Sequence, residues 1–190
     1  MILVTGFEPF GGLKRNPTAE IAQALQGGAI EAAVLPVDYV KVGPALADLL
    51  QRPWNAVVLL GLAMGRPHIS LEKIAINYRD AMRPDNAGRL PEAPEIVHDG
   101  PAAYFSTLPL DRLFDALTSA ALPAAMSLSA GPYLCNTAFY LARHALEARG
   151  TPCGFLHLPP TPDLACSAPP LGFEEQIRGL KIVLEHLRPW

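Results

Sequence analysis

The run AVVLL at residues 56–60 decides the fold class, because five consecutive apolar residues leave neither side of the segment polar. Such a run is typical of a strand that is covered on both faces, as the strands of parallel sheets are. Residues 2–5 and 154–158 form similar short, mostly apolar stretches. We therefore predict an α/β protein with a twisted, mostly parallel central sheet and helices on both of its faces.

Helical signals alternate with these strands along the chain. Asn16 and Pro17 predict a helix start, since asparagine caps a helix and proline suits its first position. A second helix is expected from Pro44, and Gly150 is placed to end a helix over residues 136–149. Apolar residues at helical spacing mark two further helices: Leu110, Leu113, Phe114 and Leu117, then Ile177, Leu180, Leu184 and Leu187.

Other parts of the chain have weaker signals. A strand is expected to begin at residues 34–35, and extended segments are expected at 72–78 and 124–128. Residues 79–106 contain the turn-rich stretch PDNAGRLPEAPE, which predicts an exposed excursion. With no repeat and no linker, residues 1–190 are predicted to form a single domain.

The composition excludes several classes of protein. Half of the residues are apolar, 17% are charged and the formal net charge is -3. No basic block stands out, so we expect no nucleic-acid partner. We also find no signal peptide and no apolar run of the roughly 18 residues that a membrane span needs. The expectation is a cytoplasmic protein without a membrane partner.

The three cysteines, Cys135, Cys153 and Cys166, argue against a disulfide framework, because their number is odd and no CxxC pair occurs. The same pattern argues against a zinc knuckle, and we expect no metal site. Cys135 is the cysteine with a special setting. A strand is expected to end near residue 129, a Gly-Pro turn follows, and a helix is expected to start at about Cys135.

A cysteine at a helix start is a candidate nucleophile. The positive end of the helix dipole favours the thiolate, so we expect the pKa of Cys135 to be lowered. The alternative is that Cys135 is a small buried apolar residue, the usual role of a free cysteine. Local sequence context leaves both interpretations open.

Candidate partners for Cys135 are less specific. His157, near the end of the strand at 154–158, can point into a cleft as a general base, or it can be satisfied by hydrogen bonds at a strand edge. Glu72 can orient an imidazole, or it can be an exposed strand residue paired with Lys73. Four other histidines are expected in loops or on helix surfaces: His68, His98, His144 and His186.

The segment TGFEPFGG at residues 5–12 lacks the glycine spacing of a phosphate-binding loop. Its two phenylalanines, Phe7 and Phe10, follow the first predicted strand. Aromatic side chains at the end of a strand can wall an apolar pocket, although core packing is the commoner role of phenylalanine.

Six segments together resemble one family, pyroglutamyl peptidase I, also called pyrrolidone-carboxylate peptidase. They occur in the family's order and cover nearly the whole chain. The segments are VTGFEPFGG with NPT (4–12 and 16–18), GLAMGRPHISLEKIAIN (61–77), PDNAG (84–88), GPAAYFSTLP (100–109), SAGPYLCN (129–136) and GFLHLPPTP (154–162).

The resemblance implies a single α/β domain that hydrolyses the amide bond after an N-terminal pyroglutamyl residue. It implies that Cys135 is the nucleophile, His157 the general base and Glu72 the third catalytic residue. It also implies no cofactor, pyroglutamylated peptides as substrates, and a homotetramer or homodimer.

The same resemblance implies a pocket for the pyroglutamyl ring. Phe7 and Phe10 match the aromatics that sandwich the ring, and Tyr133 stands where the family has a third aromatic. Backbone groups near Leu62 are expected to contact the lactam. The backbone N–H of Cys135 is expected to bind the oxyanion.

Two departures from the family pattern bear on these roles. The family has GQAGG where this chain has GLAMG, so Leu62 and Met64 replace a glutamine and a glycine. Met82 occupies the family's arginine position, and Arg83, the next residue, is the expected substitute at the oxyanion. These departures leave two alternatives open: a related cysteine amidohydrolase of altered specificity, or a non-catalytic pyroglutamate-binding protein.

Overall fold

The computed structural model describes residues 1–80, 83–164 and 167–187. This part of the chain contains eight strands and five helices. The strands are β1 (Ile2–Phe7), β2 (Ile30–Leu35), β3 (Ala56–Leu62), β4 (Ile69–Glu72), β5 (Ile74–Ile76), β6 (Ala103–Phe105), β7 (Ala124–Ser127) and β8 (Cys153–Leu158). The helices are α1 (Pro17–Leu25), α2 (Val42–Leu50), α3 (Leu110–Ser119), α4 (Leu134–Leu146) and α5 (Phe173–Glu185), with a 3₁₀ turn at Glu147–Arg149.

Six of the strands form the central sheet, in the order β2-β1-β3-β8-β4-β7. Strands β2, β1, β3 and β8 are parallel to one another. Strand β4 is antiparallel to β8 and parallel to β7, so the last two strands run in the opposite direction. The remaining two strands, β5 and β6, form a small antiparallel hairpin outside this sheet. The prediction of a mostly parallel central sheet is confirmed.

Each face of the sheet is covered by helices, and the run at 56–60 explains why. Val58 and Leu60 pack on one side with apolar residues of α1, α3 and α5. Val57 and Leu59 pack on the other side with residues of α2 and α4. Because alternate residues of a strand point to opposite faces, a strand between two helical layers must be apolar throughout.

The start of α1 is fixed to the end of β1 by local hydrogen bonds. The Asn16 side chain accepts a hydrogen bond from Thr18 N at 3.1 Å, which confirms the predicted cap. The Thr18 hydroxyl in turn accepts one from Phe7 N, also at 3.1 Å. A Cβ atom on Gly6 would lie 2.3 Å from the Thr18 carbonyl oxygen, so this close crossing requires glycine.

Several predicted boundaries are wrong for reasons of tertiary structure. Residues 34–35 end strand β2 and do not begin one, because pairing with β1 extends β2 back to Ile30. The extended segment at 72–78 is divided at Lys73 between the central sheet and the hairpin. The turn-rich stretch at 84–95 is mostly exposed, as predicted, and β6, which follows it, pairs with β5. Gly150 does end the helical region, with a left-handed φ of 62°.

No helix in the described ranges is both long enough and apolar enough to cross a membrane. Two residues singled out in the sequence, Met82 and Cys166, lie outside the described residues.

Asn136 connects the start of α4 to the segment that follows β4. It is 1% exposed. Its side chain accepts a hydrogen bond from Ile76 N at 3.0 Å and donates to the carbonyl oxygens of Ile76 and Tyr78, each at 2.9 Å. Three backbone groups therefore depend on one buried amide.

We expect Asn136→Ala to lower the free energy of unfolding by about 1–3 kcal/mol, because it leaves these backbone groups without their partner. Urea denaturation measures the change. The matched control is Asn55→Ala, at an exposed position, where the change should stay within about 0.5 kcal/mol. Equal effects of the two substitutions would show that the Asn136 contacts do not stabilise the fold.

Candidate active site

Glu72 and His157 form a buried hydrogen-bonded pair on adjacent antiparallel strands. In the register of β4 and β8, Ser70 is opposite His157 and Glu72 is opposite Phe155. Glu72 and His157 are therefore diagonal neighbours on the same face of the sheet. The distance between His157 Nδ1 and Glu72 Oε1 is 2.7 Å. Glu72 is 0% exposed and His157 is 5% exposed, which excludes the alternative of Glu72 as an exposed strand residue.

The surroundings of this pair determine its protonation state. Burial alone would raise the pKa of Glu72, but the hydrogen bonds from His157 and Ser127 and the charge of Arg66 hold it below its ordinary value. Burial and the charge of Arg66 together lower the pKa of His157, although the hydrogen bond and charge of Glu72 act to raise it. A neutral imidazole beside a carboxylate places its proton on Nδ1, where it donates to Glu72. Nε2 then carries the free lone pair of a base.

Arg66 is a part of the site that sequence reasoning missed. Its Nη1 atom donates to Glu72 Oε1 at 2.5 Å and to Ser127 Oγ at 3.3 Å. Its Nη2 atom donates to the carbonyl oxygen of Ser129 at 3.0 Å. Arg66 therefore joins the buried carboxylate to the turn that precedes Cys135. A buried acid requires a cation nearby. Arg66 lies in the same sequence motif as Glu72, and this proximity could have identified it as the partner.

Cys135 is the second residue of α4, as its turn-then-helix context predicted. Its side chain is partly buried and lies against Gly61, which pairs with His157 between β3 and β8. A Cβ atom on Gly61 would lie 2.9 Å from Cys135 Sγ and 2.7 Å from the ring of Phe155. The Phe155 and His157 rings are themselves 4.8 Å apart between centroids. The missing side chain of Gly61 thus leaves the space in which the thiol sits.

The predicted direction of the Cys135 pKa is wrong. Burial and the charge of Glu72 raise the pKa of the thiol to about 12, against the lowering effects of Arg66 and the backbone at the helix start. Desolvation of the thiolate exceeds the helix-end effect because α4 begins against the sheet and not in water. With its thiol pKa raised and the pKa of His157 lowered, Cys135 and His157 are both neutral at neutral pH in the free protein.

A narrow apolar slot opens beside the thiol. The four residues predicted for ring binding, Phe7, Phe10, Leu62 and Tyr133, all line it together with Cys135. Its cavity volume is about 20 Å³, which is room for roughly one water molecule. A ring can therefore enter only if side chains that line the slot move.

A larger cleft of about 620 Å³ adjoins this slot. The two cavities share Phe10 and Tyr133 as lining residues, so these aromatics stand between them. Arg83 lines the larger cleft and is exposed. The structure thus places the expected oxyanion substitute in the outer cleft and not among the residues of the slot.

The remaining histidines have other settings. His98 lies 3.2 Å from the Glu95 carboxylate on the surface. The exposed His144 bonds to the Tyr104 hydroxyl at 2.8 Å, and His186 bonds to a carbonyl within its own helix. Among the five histidines, His157 alone is buried. Within the described residues no group of three or more histidine, cysteine or acidic side chains is placed to hold a metal ion.

Fold and site together define an α/β protein with a cysteine at a helix start, next to a buried histidine–glutamate pair. The family model for pyroglutamyl peptidase matches residues 1–188. The chain belongs to this family, and the resemblance drawn from the six sequence segments is confirmed.

Individual relatives match this chain in sequence or structure over most of its length. The pyrrolidone-carboxylate peptidase of Thermococcus kodakarensis is 41% identical over 194 residues, covering 97% of this chain and 94% of the relative. That of Deinococcus radiodurans is 42% identical over 178 residues, covering 88% and 82%. The crystal structure of pyrrolidone carboxyl peptidase from Thermus thermophilus superposes with a TM-score of 0.92 at 45% identity, covering 98% of this chain and 100% of that one.

We expect Gly61→Ala to lower the free energy of unfolding by about 1–3 kcal/mol, because its methyl group overlaps the thiol and the Phe155 ring. Urea denaturation measures this. The matched control in the same GLAMG motif is Gly65→Ala, where a Cβ atom meets nothing within 4 Å. A Gly61→Ala protein as stable as the control would contradict the close contact between Gly61 and Cys135.

Proposed function

We propose that the protein is a cysteine peptidase that hydrolyses the amide bond after an N-terminal pyroglutamyl residue. The observation that carries this proposal is the placement of Cys135. Its thiol lies at the start of α4, at the wall of the apolar slot and against Gly61 of β3, which pairs with His157 of β8. His157 in turn is hydrogen-bonded to Glu72. Membership of the pyroglutamyl peptidase family supports the same conclusion.

The chemistry of the slot fits a pyroglutamyl ring. This five-membered lactam carries no charge and no free amine, so it needs an apolar pocket with a few polar contacts. The residues that line the slot include no acidic or basic side chain: Phe7, Phe10, Asn16, Val37, Leu62, Tyr133, Leu134 and Cys135. A peptidase that recognised a free N-terminal ammonium group would instead need a carboxylate here.

The first chemical step makes a thiolate only when substrate is present. His157 Nε2 takes the proton of the Cys135 thiol, and the sulfur attacks the carbonyl carbon that follows the ring. Glu72 stabilises the imidazolium that forms, since its carboxylate already accepts a hydrogen bond from Nδ1–H of the imidazole. The tetrahedral oxyanion accepts a hydrogen bond from the Cys135 backbone N–H, because the first N–H groups of a helix lack intrahelical partners.

The second half of the reaction releases both products. The imidazolium returns its proton to the leaving amine as the C–N bond breaks, which leaves a thioester on Cys135. His157 then removes a proton from water, and the hydroxide attacks the thioester carbonyl. Breaking of the C–S bond frees pyroglutamate, and the proton held by His157 restores the thiol. Arg66 acts throughout as a positioning residue that keeps Glu72 ionised and in place.

We further propose that the protein works in the cytoplasm, on peptides and not on nucleic acid or membranes, as a homotetramer or homodimer. The two described cysteines, Cys135 and Cys153, are both free, and a thiol nucleophile favours a reducing compartment. Exposed apolar side chains such as Phe105 and Leu128, each 69% exposed, are suited to burial against other copies of the chain.

We expect the wild-type protein to release the amine from a fluorogenic pyroglutamyl amide, and Cys135→Ala to reduce kcat/KM by at least about a thousandfold. The matched control is Cys153→Ala, a cysteine at the far end of β8 whose loss does not touch the slot. Circular dichroism verifies folding of both variants.

Wild-type protein that turns over another acyl amide but no pyroglutamyl substrate would favour altered specificity, to which Leu62 in the slot wall points. Binding of pyroglutamate in calorimetry without any turnover would contradict the peptidase proposal in favour of a binding protein.

The acid limb of the kcat/KM profile reports protonation of His157 in the free enzyme. In the wild type it should lie below the ordinary histidine pKa of 6.5, because burial lowers the pKa of His157. Glu72→Gln removes interactions that raise this pKa, so the limb should move to lower pH while kcat falls. Arg66→Gln removes a cation that lowers the pKa, so the limb should move to higher pH.

Arg52→Gln is the control for these two variants, since Arg52 pairs with Glu31 on the surface. Its acid limb should match that of the wild type. Shifts of the Glu72 and Arg66 variants in the same direction would contradict the assigned roles.

A further inference from the structure

The larger cavity beside the slot, called here the outer cleft, is continuous with the proposed path of the substrate. Phe10 and Tyr133 line both cavities. A substrate whose ring occupies the slot and whose carbonyl meets Cys135 must therefore extend past these aromatics into the outer cleft. At about 620 Å³ this cleft is large enough for the one or two residues that follow the scissile bond.

Most polar side chains of the outer cleft are already engaged within the protein. The Asp85 carboxylate accepts three backbone N–H groups, from Tyr39, Ala87 and Arg89, at 2.8–3.0 Å. The Asn86 amide donates to Glu8 Oε1 at 3.0 Å and to the Pro9 carbonyl oxygen at 2.8 Å. These side chains build the wall of the cleft and have little capacity left for a ligand.

Tyr133 is also engaged within the protein, and it lines both the slot and the outer cleft. Its hydroxyl donates to the carbonyl oxygen of Pro84 at 3.0 Å, and its ring meets Tyr39 edge-on with centroids 5.8 Å apart. The residue next to Pro84 is Arg83, and the charge of Arg83 acts on the Tyr133 hydroxyl. Arg83 therefore stands close to the opening from the slot.

Two charged side chains of the outer cleft remain available, Asp80 and Arg83. Both line the cleft and both are exposed. Within the described part of the chain, neither side chain forms a hydrogen bond or an ion pair. They carry opposite charges, so a ligand group that is favoured by one is disfavoured by the other.

We propose that the outer cleft binds the leaving part of the peptide and that Arg83 favours a carboxylate on the residue after the scissile bond. This assignment rests on the proposed peptidase function and deepens it. Two sources can supply the carboxylate: the free C-terminus of a pyroglutamyl dipeptide, or an aspartate or glutamate side chain. A guanidinium group recognises either one by the same charge-assisted hydrogen bonds. Asp80 opposes this preference and limits its size.

The test compares kcat/KM for matched pairs of substrates. Pyroglutamyl-alanine against its C-terminal amide isolates the terminal carboxylate, and pyroglutamyl-aspartate amide against pyroglutamyl-asparagine amide isolates the side chain. We expect the wild type to prefer at least one charged member by about two- to fivefold, the range of an exposed ion pair. Added salt should reduce the preference. Arg83→Gln should bring the ratio to about one, and Asp80→Asn should increase it.

Arg89→Gln is the matched control, because Arg89 lies on the same segment but pairs with Asp38 and does not line the cleft. Its ratios should equal those of the wild type. If Arg83 instead stabilises the oxyanion, Arg83→Gln will lower kcat on charged and neutral substrates alike and leave the ratio unchanged, which would overturn the proposal. A wild type without preference would also overturn it, while activity on the amides would leave the peptidase function standing. A wild type inactive on every substrate would remove both.

Discussion

The constraint on which the site depends is the buried negative charge of Glu72. A carboxylate with no exposure to solvent must be paired, since an unpaired charge in the interior costs several kcal/mol. His157 supplies one partner from the neighbouring strand β8, and Arg66 supplies the other from the connection between β3 and β4. Three segments of the chain are thereby brought to one place, and Arg66 adds the turn before the nucleophile through Ser129.

The reversed direction of β4 is what makes this burial possible. The carboxyl ends of β1, β3 and β8 meet at one edge of the sheet, where ligands of open α/β sheets bind. Because β4 is antiparallel to β8, its last residue, Glu72, lies opposite Phe155. Phe155 is two residues before His157 in β8, so Glu72 lies further than His157 from the carboxyl end of that strand. The carboxylate of Glu72 is thus buried in the protein interior, and Glu72 is not among the residues that line the slot. Substrate meets the thiol and the base, while the charge that orients the base stays in the protein interior.

Local sequence patterns predicted the fold better than the site. The apolar run at 56–60 indicates a strand buried on both faces, and Asn16 indicates a helix cap. Both signals are contained in a few consecutive residues. Cys135 was a candidate from its turn and helix, but Glu72 and His157 were identified by family resemblance, since they are 85 residues apart and paired only through strand register. Arg66 and Gly61 went unnoticed for the same reason: their contacts are tertiary.

The raised pKa of Cys135 could not be predicted from local sequence either, because the elements that bury the thiol are distant from it in the chain. The mechanism depends most directly on a neutral His157 whose Nδ1–H donates a hydrogen bond to Glu72. Nitrogen-15 NMR of the imidazole in the free protein at neutral pH tests this directly. We expect a neutral ring protonated at Nδ1, with that proton shifted strongly downfield by its hydrogen bond to the carboxylate. A ring protonated only at Nε2, or an imidazolium at neutral pH, would contradict it.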